Sequence, residues 1–304
     1  MDNNKVMIVG TGNVGASIAF ALINQRTAVN EIVLTDIIAK DAEGEAMDLR
    51  DALAVAPSYV KVTSGTYKDA KDCDIVVITA GAAQKPGETR MDLLKKNVNI
   101  LKGMIEQIMA SGFNGIFLIV TNPMDVLTYF TYKFSGLPAE RVIGSGTVLD
   151  SARLRSRIAS YLNINPKSIH AHQIGEHGDT ELTLWSLADI GGQKISELLD
   201  KKTRTGISDY VRNEAYDIID KKGATYYGIA TCVAQILNCI LNDEMRVLAV
   251  SSYDFFSDTA FGFPSIVGRQ GIIRRLDLKI SEHEGIELQK SINSLKKAIS
   301  SIKY

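Results

Sequence analysis

A five-residue segment in the second half of the chain combines residue types that could carry out acid–base chemistry. It reads Gly175-Glu176-His177-Gly178-Asp179 and follows an apolar stretch at 168–174 that we predict to be extended. Imidazole gives and takes a proton near neutral pH, and the small neighbours of this histidine leave room for a ligand. Taken alone, a histidine in a loop is more often a solvated residue without a role.

A second group of chemically active side chains lies in a predicted helix that begins near residue 148. Asp150 and Arg153 are three positions apart and share a face of that helix, whereas Arg155 lies about 200° round from Arg153 and points away. A planar guanidinium matches a carboxylate with two parallel hydrogen bonds. In one interpretation, Asp150 binds a histidine and Arg153 binds a substrate carboxylate. The alternative is a surface ion pair worth well under ~1 kcal/mol.

A glycine-rich turn near the N-terminus predicts a dinucleotide site. The apolar run at 6–9 meets Gly10-Thr-Gly12-Asn-Val-Gly15, and a predicted helix follows. Gly10 permits a tight turn, Gly12 allows the backbone to approach a pyrophosphate, and Gly15 lets helix and strand pack closely. The next predicted strand ends at Asp36, where a carboxylate would bind ribose hydroxyls and repel a 2′-phosphate. We therefore predict that the cofactor is NAD rather than NADP. The alternative is that Asp36 is an ordinary turn residue at the end of a strand.

Buried strands and helices alternate through the first half of the chain. The pattern predicts strands at 31–35, 75–79 and 116–120 and helices at 42–53 and 92–109. Such alternation is typical of an α/β fold with a Rossmann-type doubly wound parallel sheet, whose ligands sit at the carboxyl ends of the strands. Asp36, Gly81 and Asn122 all fall at such ends.

The second half mixes predicted hairpins and helices, among them a strand at 185–190 and helices at 209–222 and 284–302. We therefore predict an NAD-binding domain at 1–145 and a mixed α+β substrate-binding and catalytic domain at 146–304, without a flexible linker.

Between a strand and a helix of the first domain lies the charged loop Gln84-Lys85-Pro86-Gly87-Glu88-Thr89-Arg90. It is either a lid that closes over substrate or a plain solvated loop.

Composition excludes several classes of function. The 304 residues carry a formal net charge of −1, which gives no electrostatic footprint for nucleic acid. No apolar run approaches the roughly 20 residues needed to span a bilayer. The first predicted strand begins near residue 5, so we expect no signal peptide.

Cysteine and histidine spacing predicts neither disulfides nor a metal site. Cys73, Cys232 and Cys239 are an odd number without metal-ligand spacing, which favours reduced thiols and a cytoplasmic location. His170 and His172 could suggest a metal pair, but no nearby residues complete a ligand set. We therefore expect no metal.

Taken together, these motifs resemble the L-lactate/malate dehydrogenase family, most closely its bacterial lactate-oxidising members. The matching segments occur in the family's order over essentially the whole chain, at 10–15, 80–90, 121–125, 150–153, 174–180 and 222–228. The resemblance implies that pyruvate and NADH are interconverted with (S)-lactate and NAD⁺. It implies that His177 is the acid/base, that Asp150 is its partner, that Arg153 binds the substrate carboxylate and that Arg90 polarises the carbonyl from the lid.

The resemblance also implies the remaining contacts. The substrate-binding residues would be Gln84, Arg90, Asn122, Asp125, Arg153 and Thr225. The cofactor-binding residues would be Gly10, Gly12, Val14, Gly15, Asp36, Lys40, Tyr67, Gly81, Ala82, Gly103, Val120 and Asn122.

Gln84 favours a monocarboxylic substrate. Malate dehydrogenases carry arginine at this position for the second carboxylate of oxaloacetate, and a neutral glutamine would leave that charge unpaired in a closed site. The segments at 191–209 and 253–264 are shorter than in typical relatives, so a dehydrogenase for bulkier L-2-hydroxy acids such as hydroxyisocaproate is an alternative, followed by malate dehydrogenase. Two alternative functions from other classes of protein are an NAD-dependent glycoside hydrolase and a non-catalytic NAD sensor. The set of His177, Asp150 and Arg153 argues against both.

A second ligand site is also implied by the resemblance. Many bacterial members are homotetramers that bind fructose 1,6-bisphosphate between subunits through an arginine and a histidine, which correspond to Arg155 and His170. The alternative for His170 is a partly buried strand histidine without this activity.

Overall fold

Six short strands form the parallel part of the central sheet. The computed structural model describes residues 4–82, 87 and 89–302, with only the backbone at Arg90. The strands are β1 (Lys5–Val9), β2 (Glu31–Thr35), β3 (Lys61–Ser64), β4 (Ile75–Ile78), β5 (Ile116–Ile119) and β6 (Val142–Gly144). Neighbours are parallel in the order β3-β2-β1-β4-β5-β6. This is the doubly wound arrangement that the alternation of strands and helices predicted.

Helices cover both faces of this sheet, which is why β4 and β5 are apolar at every position. They are α1 (Asn13–Asn24), α2 (Ala39–Ala52), α3 (Arg90–Ala110) and α4 (Met124–Ser135). Alternate residues of β1 enter different cores: Ile8 packs in the cluster that contains Leu22 of α1, and Met7 packs in the cluster that contains Leu101 of α3. The two-residue period of a strand thus builds two cores from one sequence.

The second half begins with α5 (Val148–Leu162), which starts just after the carboxyl end of β6. Short elements follow: β7 (Ile169–His170), β8 (Gln173–Ile174), β9 (Leu182–Thr183), β10 (Asp189–Ile190), β11 (Gln193–Lys194) and α6 (Ile195–Leu198). The predicted strand at 185–190 is largely wrong, since Trp185–Leu187 is a 3-10 helix and only the last two residues are extended. Glu284 holds this turn by accepting hydrogen bonds from the amide and the hydroxyl of Ser186.

Two long helices and a hairpin sheet complete the chain. They are α7 (Lys201–Lys222), α8 (Tyr227–Leu241), β12 (Arg246–Asp254), β13 (Thr259–Gly268), β14 (Gly271–Arg275) and α9 (Glu282–Ser300). The helix predicted at 209–222 begins earlier than expected, because Asp200 caps it by accepting a hydrogen bond from the amide of Thr203. None of the helices in the described part of the chain is both long and apolar enough to cross a bilayer.

The hairpin strands join the parallel strands in one mixed sheet. Ser251 of β12 pairs with Gly144 of β6, so within the described residues the sheet has nine strands in the order β14-β13-β12-β6-β5-β4-β1-β2-β3. Gly175, which follows β8, exchanges two backbone hydrogen bonds of 2.9 Å with Gly262 of β13. The histidine segment is therefore fastened to the sheet beside the start of α5.

Candidate active site

His177 and Asp150 form a close polar contact in the site. The Nδ1 atom of His177 lies 2.6 Å from Oδ2 of Asp150, whose side chain is only 3% exposed, while that of His177 is 26% exposed. The negative charge of Asp150 raises the pKa of His177 to about 9. Burial acts to raise the pKa of Asp150, but the charges of His177 and Arg153 outweigh it and hold that pKa below its usual range. His177 therefore donates from Nδ1, and Nε2 is the nitrogen left for a ligand.

Arg153 binds the same carboxylate from the next turn of α5. Its Nη1 atom lies 3.0 Å from Oδ1 of Asp150, and its Nε atom lies 3.6 Å from Oε2 of Glu214 on α7. The guanidinium is only 9% exposed. The structure thus brings together the three residues His177, Asp150 and Arg153, with Asp150 as the bridge between the other two.

Asp125 holds the backbone of the histidine segment. One oxygen accepts the amide N–H of His177 at 2.7 Å, and the other accepts the hydroxyl of Ser251 at 2.6 Å. The side chain is 2% exposed, and burial raises the pKa of Asp125 to about 7. The structure thus places Asp125 beneath the backbone of His177, with a protein donor on each of its oxygens.

Glu181 is a buried carboxyl group beside His177 and Asp150 that the sequence did not point to. One of its oxygens, one oxygen of Asp150 and one ring nitrogen of His177 lie within 4.8 Å of one another, and Gln173 Nε2 donates to Glu181 at 3.1 Å. Burial, followed by the charge of Asp150, raises the pKa of Glu181 to about 8. Glu181, Asp150 and His177 therefore form one close group of titratable side chains. The one available signal was its position four residues after His177.

The glycine-rich turn has the geometry that a pyrophosphate needs. Gly10 has φ +95°, and a Cβ atom on it would lie 2.6 Å from the amide nitrogen of Ala80. A Cβ atom on Gly15 would lie 1.9 Å from the carbonyl oxygen of Gly10. Gly12 borders open space, and α1 begins there without a capping side chain, so the amide groups of its first turn face an open cradle. A helix N-terminus of this kind favours phosphate.

Asp36 stands next to this turn at the carboxyl end of β2. It accepts the amide N–H of Thr11 at 2.8 Å and that of Ile38 at 3.0 Å. Tyr67 lies nearby, since burial and then the charge of Asp36 raise the pKa of its hydroxyl. Lys40 is exposed in the first turn of α2. This grouping fits the ribose end of a dinucleotide.

Asn97 of α3 joins the loops that follow β4 and β5. Its Oδ1 atom accepts the amide of Ala82 at 2.8 Å, and its Nδ2 atom donates to the carbonyl of Asn122 at 3.3 Å. Gly81 and Ala82 are thereby held beside Asn122, as their places at neighbouring strand ends predicted. Sequence reasoning missed Asn97, although a buried polar residue in the middle of a helix was a possible signal.

The other predicted site residues fall in several places. Val14 lies in the first turn of α1, Val120 follows β5 and is buried, and Gly103 lies on α3 with open space beside its α-carbon. Thr225 lies partly buried in the connection between α7 and α8. Gln84 and the side chain of Arg90 lie outside the described residues, and so does most of the predicted lid.

Arg155 and His170 line one cavity, on a different face of α5 from Asp150 and Arg153. The cavity of about 510 Å³ is also bordered by Lys167, His172 and Arg246. Burial lowers the pKa of Arg155, and burial together with the charge of Arg155 lowers the pKa of His172 to about 4. Basic side chains from α5, β7 and β12 therefore converge on a pocket that an anion would neutralise.

Comparison with known proteins agrees with this geometry. Residues 4–144 match the family model of the lactate/malate dehydrogenase NAD binding domain, and residues 147–304 match that of the α/β C-terminal domain. The L-lactate dehydrogenase 1 of Peribacillus psychrosaccharolyticus is 50% identical over 98% of this chain and 96% of that protein. An L-lactate dehydrogenase of Bacillus velezensis is 50% identical over 96% of this chain and 95% of that protein.

Solved structures give the same result. The crystal structure of minor L-lactate dehydrogenase from Enterococcus mundtii in its ligand-bound form has a TM-score of 0.97 and 45% identity, covering 100% of this chain and 99% of that chain. Since the first family model is an NAD binding domain and the glycine-rich turn fits a dinucleotide, NAD is the cofactor. With both family models matched along almost its whole length, the chain belongs to the lactate/malate dehydrogenase family.

Proposed function

We propose that the protein is an L-lactate dehydrogenase that interconverts pyruvate and NADH with (S)-lactate and NAD⁺, working in the cytoplasm. The observation that carries this proposal is the convergence of an imidazole and a guanidinium on one buried carboxylate, Asp150. One group is placed to move a proton and the other to bind an acid. The names of the similar proteins support lactate as the hydroxy acid.

His177 is the proton donor in this proposal. NADH, when bound, supplies the hydride for the carbonyl carbon of the 2-oxo acid. His177 holds a proton on Nε2 and gives it to the carbonyl oxygen, while Asp150 stabilises the ring and fixes the nitrogen that faces the substrate. In the reverse direction the neutral ring takes the proton of the hydroxyl group.

Arg153 is the group that orients the substrate. Its guanidinium is largely shielded from water, where a charge-assisted pair with a carboxylate is stronger than at the surface. We further propose that Arg90 and Thr225 complete the pocket together with Asn122, and that Gln84 selects against a second carboxylate. Asp125 contributes indirectly by holding the amide of His177.

The direct test measures NADH oxidation with pyruvate, oxaloacetate and 2-oxoisocaproate side by side. The proposal requires the highest kcat/KM with pyruvate. A preference for 2-oxoisocaproate would assign the protein to the bulkier 2-hydroxy acids, and a preference for oxaloacetate would assign it to malate. No oxidation with any of the three acids would reject the dehydrogenase activity itself.

We also propose that the protein is a homotetramer activated by fructose 1,6-bisphosphate at the cavity of Arg155 and His170. The convergence of basic side chains there supports this, because phosphates bind arginine bidentately and lysine as a point charge. Pyruvate saturation curves at neutral pH, with and without the bisphosphate, test it. We expect the KM to fall by about 5-fold or more, as is usual for allosteric coupling. This site would be rejected if the bisphosphate lowered the KM of Arg155→Gln as much as that of wild type. It would also be rejected if the bisphosphate left the saturation curve of the wild-type tetramer unchanged.

A further inference from the structure

Glu214 lies against the substrate-binding guanidinium from a second direction. Its Oε2 atom is 3.6 Å from Arg153 Nε, while Asp150 is 3.0 Å from Arg153 Nη1. A carboxylate binds a guanidinium bidentately along the Nη1–Nη2 edge or along the Nε–Nη2 edge. Each of the two edges therefore already has a protein carboxylate at one of its nitrogens. An incoming substrate carboxylate must displace one of them or share the guanidinium with both.

Of these two carboxylates, Glu214 is the one held more weakly. Asp150 is 3% exposed and is also bonded to His177, whereas Glu214 is 25% exposed and its contact with Arg153 is longer. Water and salt screen a partly exposed pair more than a buried one. Displacing Glu214 therefore costs less free energy than displacing Asp150, and it leaves the catalytic pair intact.

Glu214 has a second hydrogen-bond partner, which can hold its side chain when it no longer contacts Arg153. The hydroxyl of Tyr210, one turn earlier on α7, donates to Oε1 of Glu214 at 3.3 Å. The ring of Tyr210 is in turn held over the guanidinium of Arg157, 4.1 Å from its centroid. The glutamate can therefore keep one hydrogen bond while its other oxygen gives way to a substrate.

We propose that Glu214 is an internal competitor for Arg153 that sets the affinity of the site for 2-oxo acids. The inference rests on the proposed function, in which Arg153 binds the substrate carboxylate. Without substrate, Glu214 satisfies part of the buried guanidinium. When substrate binds, Glu214 is displaced, so part of the binding free energy is used to break its contact with Arg153. The displaced carboxylate also repels any further negative charge on a ligand near Arg153.

The test compares Glu214→Gln and Glu214→Ala with the wild-type holoenzyme. We expect the KM for pyruvate to fall by about 2- to 5-fold, as for the loss of a partly exposed ion pair, with kcat little changed. Inhibition by oxamate, an unreactive amide similar in size to pyruvate, should strengthen by the same factor, because it reports binding without chemistry. The control is Asp220→Asn, which removes an exposed charge about 120° round α7 from Glu214 and should change neither quantity.

The outcomes separate this inference from the function on which it rests. If wild-type enzyme reduces pyruvate but neither Glu214 variant lowers the KM or strengthens oxamate inhibition, the competition is rejected. A raised KM in both variants, with NADH affinity unchanged, would overturn it in favour of Glu214 orienting Arg153. If wild-type enzyme does not reduce pyruvate at all, the proposed function fails first. NADH binding followed by fluorescence shows whether each variant is folded.

Discussion

The Nδ1 atom of His177 lies 2.6 Å from Oδ2 of Asp150, and the second oxygen of the same carboxylate lies 3.0 Å from Arg153. One buried anion thus holds both the proposed proton donor and the residue that would orient the substrate. A change at Asp150 should affect the pKa of His177 and the placement of Arg153 together. The predictions below separate these two effects.

Replacement of Asp150 should move the pH profile. Pyruvate reduction needs His177 protonated, so wild-type kcat/KM should fall as the pH rises through about 9, the pKa that the charge of Asp150 gives His177. Asp150→Asn keeps the shape but removes that charge, so the midpoint should move down by at least about one pH unit. Activity near neutrality should fall roughly 10²–10⁴-fold. An unchanged midpoint, measured beside the Asp220→Asn control, would mean that Asp150 does not set this pKa.

Replacement of Arg153 by lysine should weaken substrate binding while it keeps the charge. Lysine is a point donor and cannot bind a carboxylate along a planar edge, so the KM for pyruvate should rise by roughly 10- to 100-fold. The midpoint of the pH profile should move much less than in Asp150→Asn. Arg50→Lys, at an exposed position in the last turn of α2, is the control. Equal KM values in the two variants would argue that Arg153 does not contact the substrate.

Replacement of Gln84 by arginine should shift the preference between substrates. The added cation would pair with the second carboxylate of oxaloacetate, which glutamine leaves unpaired, and such a pair in a closed site is worth several kcal/mol. The ratio of kcat/KM for oxaloacetate to that for pyruvate should rise by roughly 100-fold or more. Gln193→Arg, which adds the same charge at an exposed position on β11, should leave the ratio unchanged. An unaltered ratio in Gln84→Arg would reject this account of substrate class.

Four of the six parallel strands, namely β1, β2, β4 and β5, could be predicted because each shows a local apolar pattern, whereas β3 and β6 were not predicted. Buried runs such as Ile75–Ile78 and Ile116–Ile119 are apolar at every position, and a helix follows each of them. Nothing local indicated that β12 would pair with β6, since the contact of Ser251 with Gly144 joins distant parts of the chain. The turn at Trp185–Leu187 likewise depends on Glu284 far along the sequence.

The residues of the candidate site also divide into those that local sequence patterns predict and those that they do not. His177, Asp150 and Arg153 each belong to a short motif, and the helical spacing of Asp150 and Arg153 placed them on one face. Asn97 and Glu214 belong to no motif. They reach the site only because α3 and α7 pack against the loops after β4 and β5 and against α5. Contacts made by tertiary packing leave no short-range signature in a single sequence.

The proton-donor role of His177 is the claim on which the rest depends, and one kinetic comparison tests it. NADH-dependent pyruvate reduction should be measured for wild type, His177→Asn and the exposed-surface control His283→Asn, with NADH affinity followed by fluorescence. We predict that His177→Asn loses roughly 10²–10⁴-fold in kcat/KM while it binds NADH as wild type does, and that His283→Asn is unaffected. Wild-type turnover in His177→Asn would contradict the account.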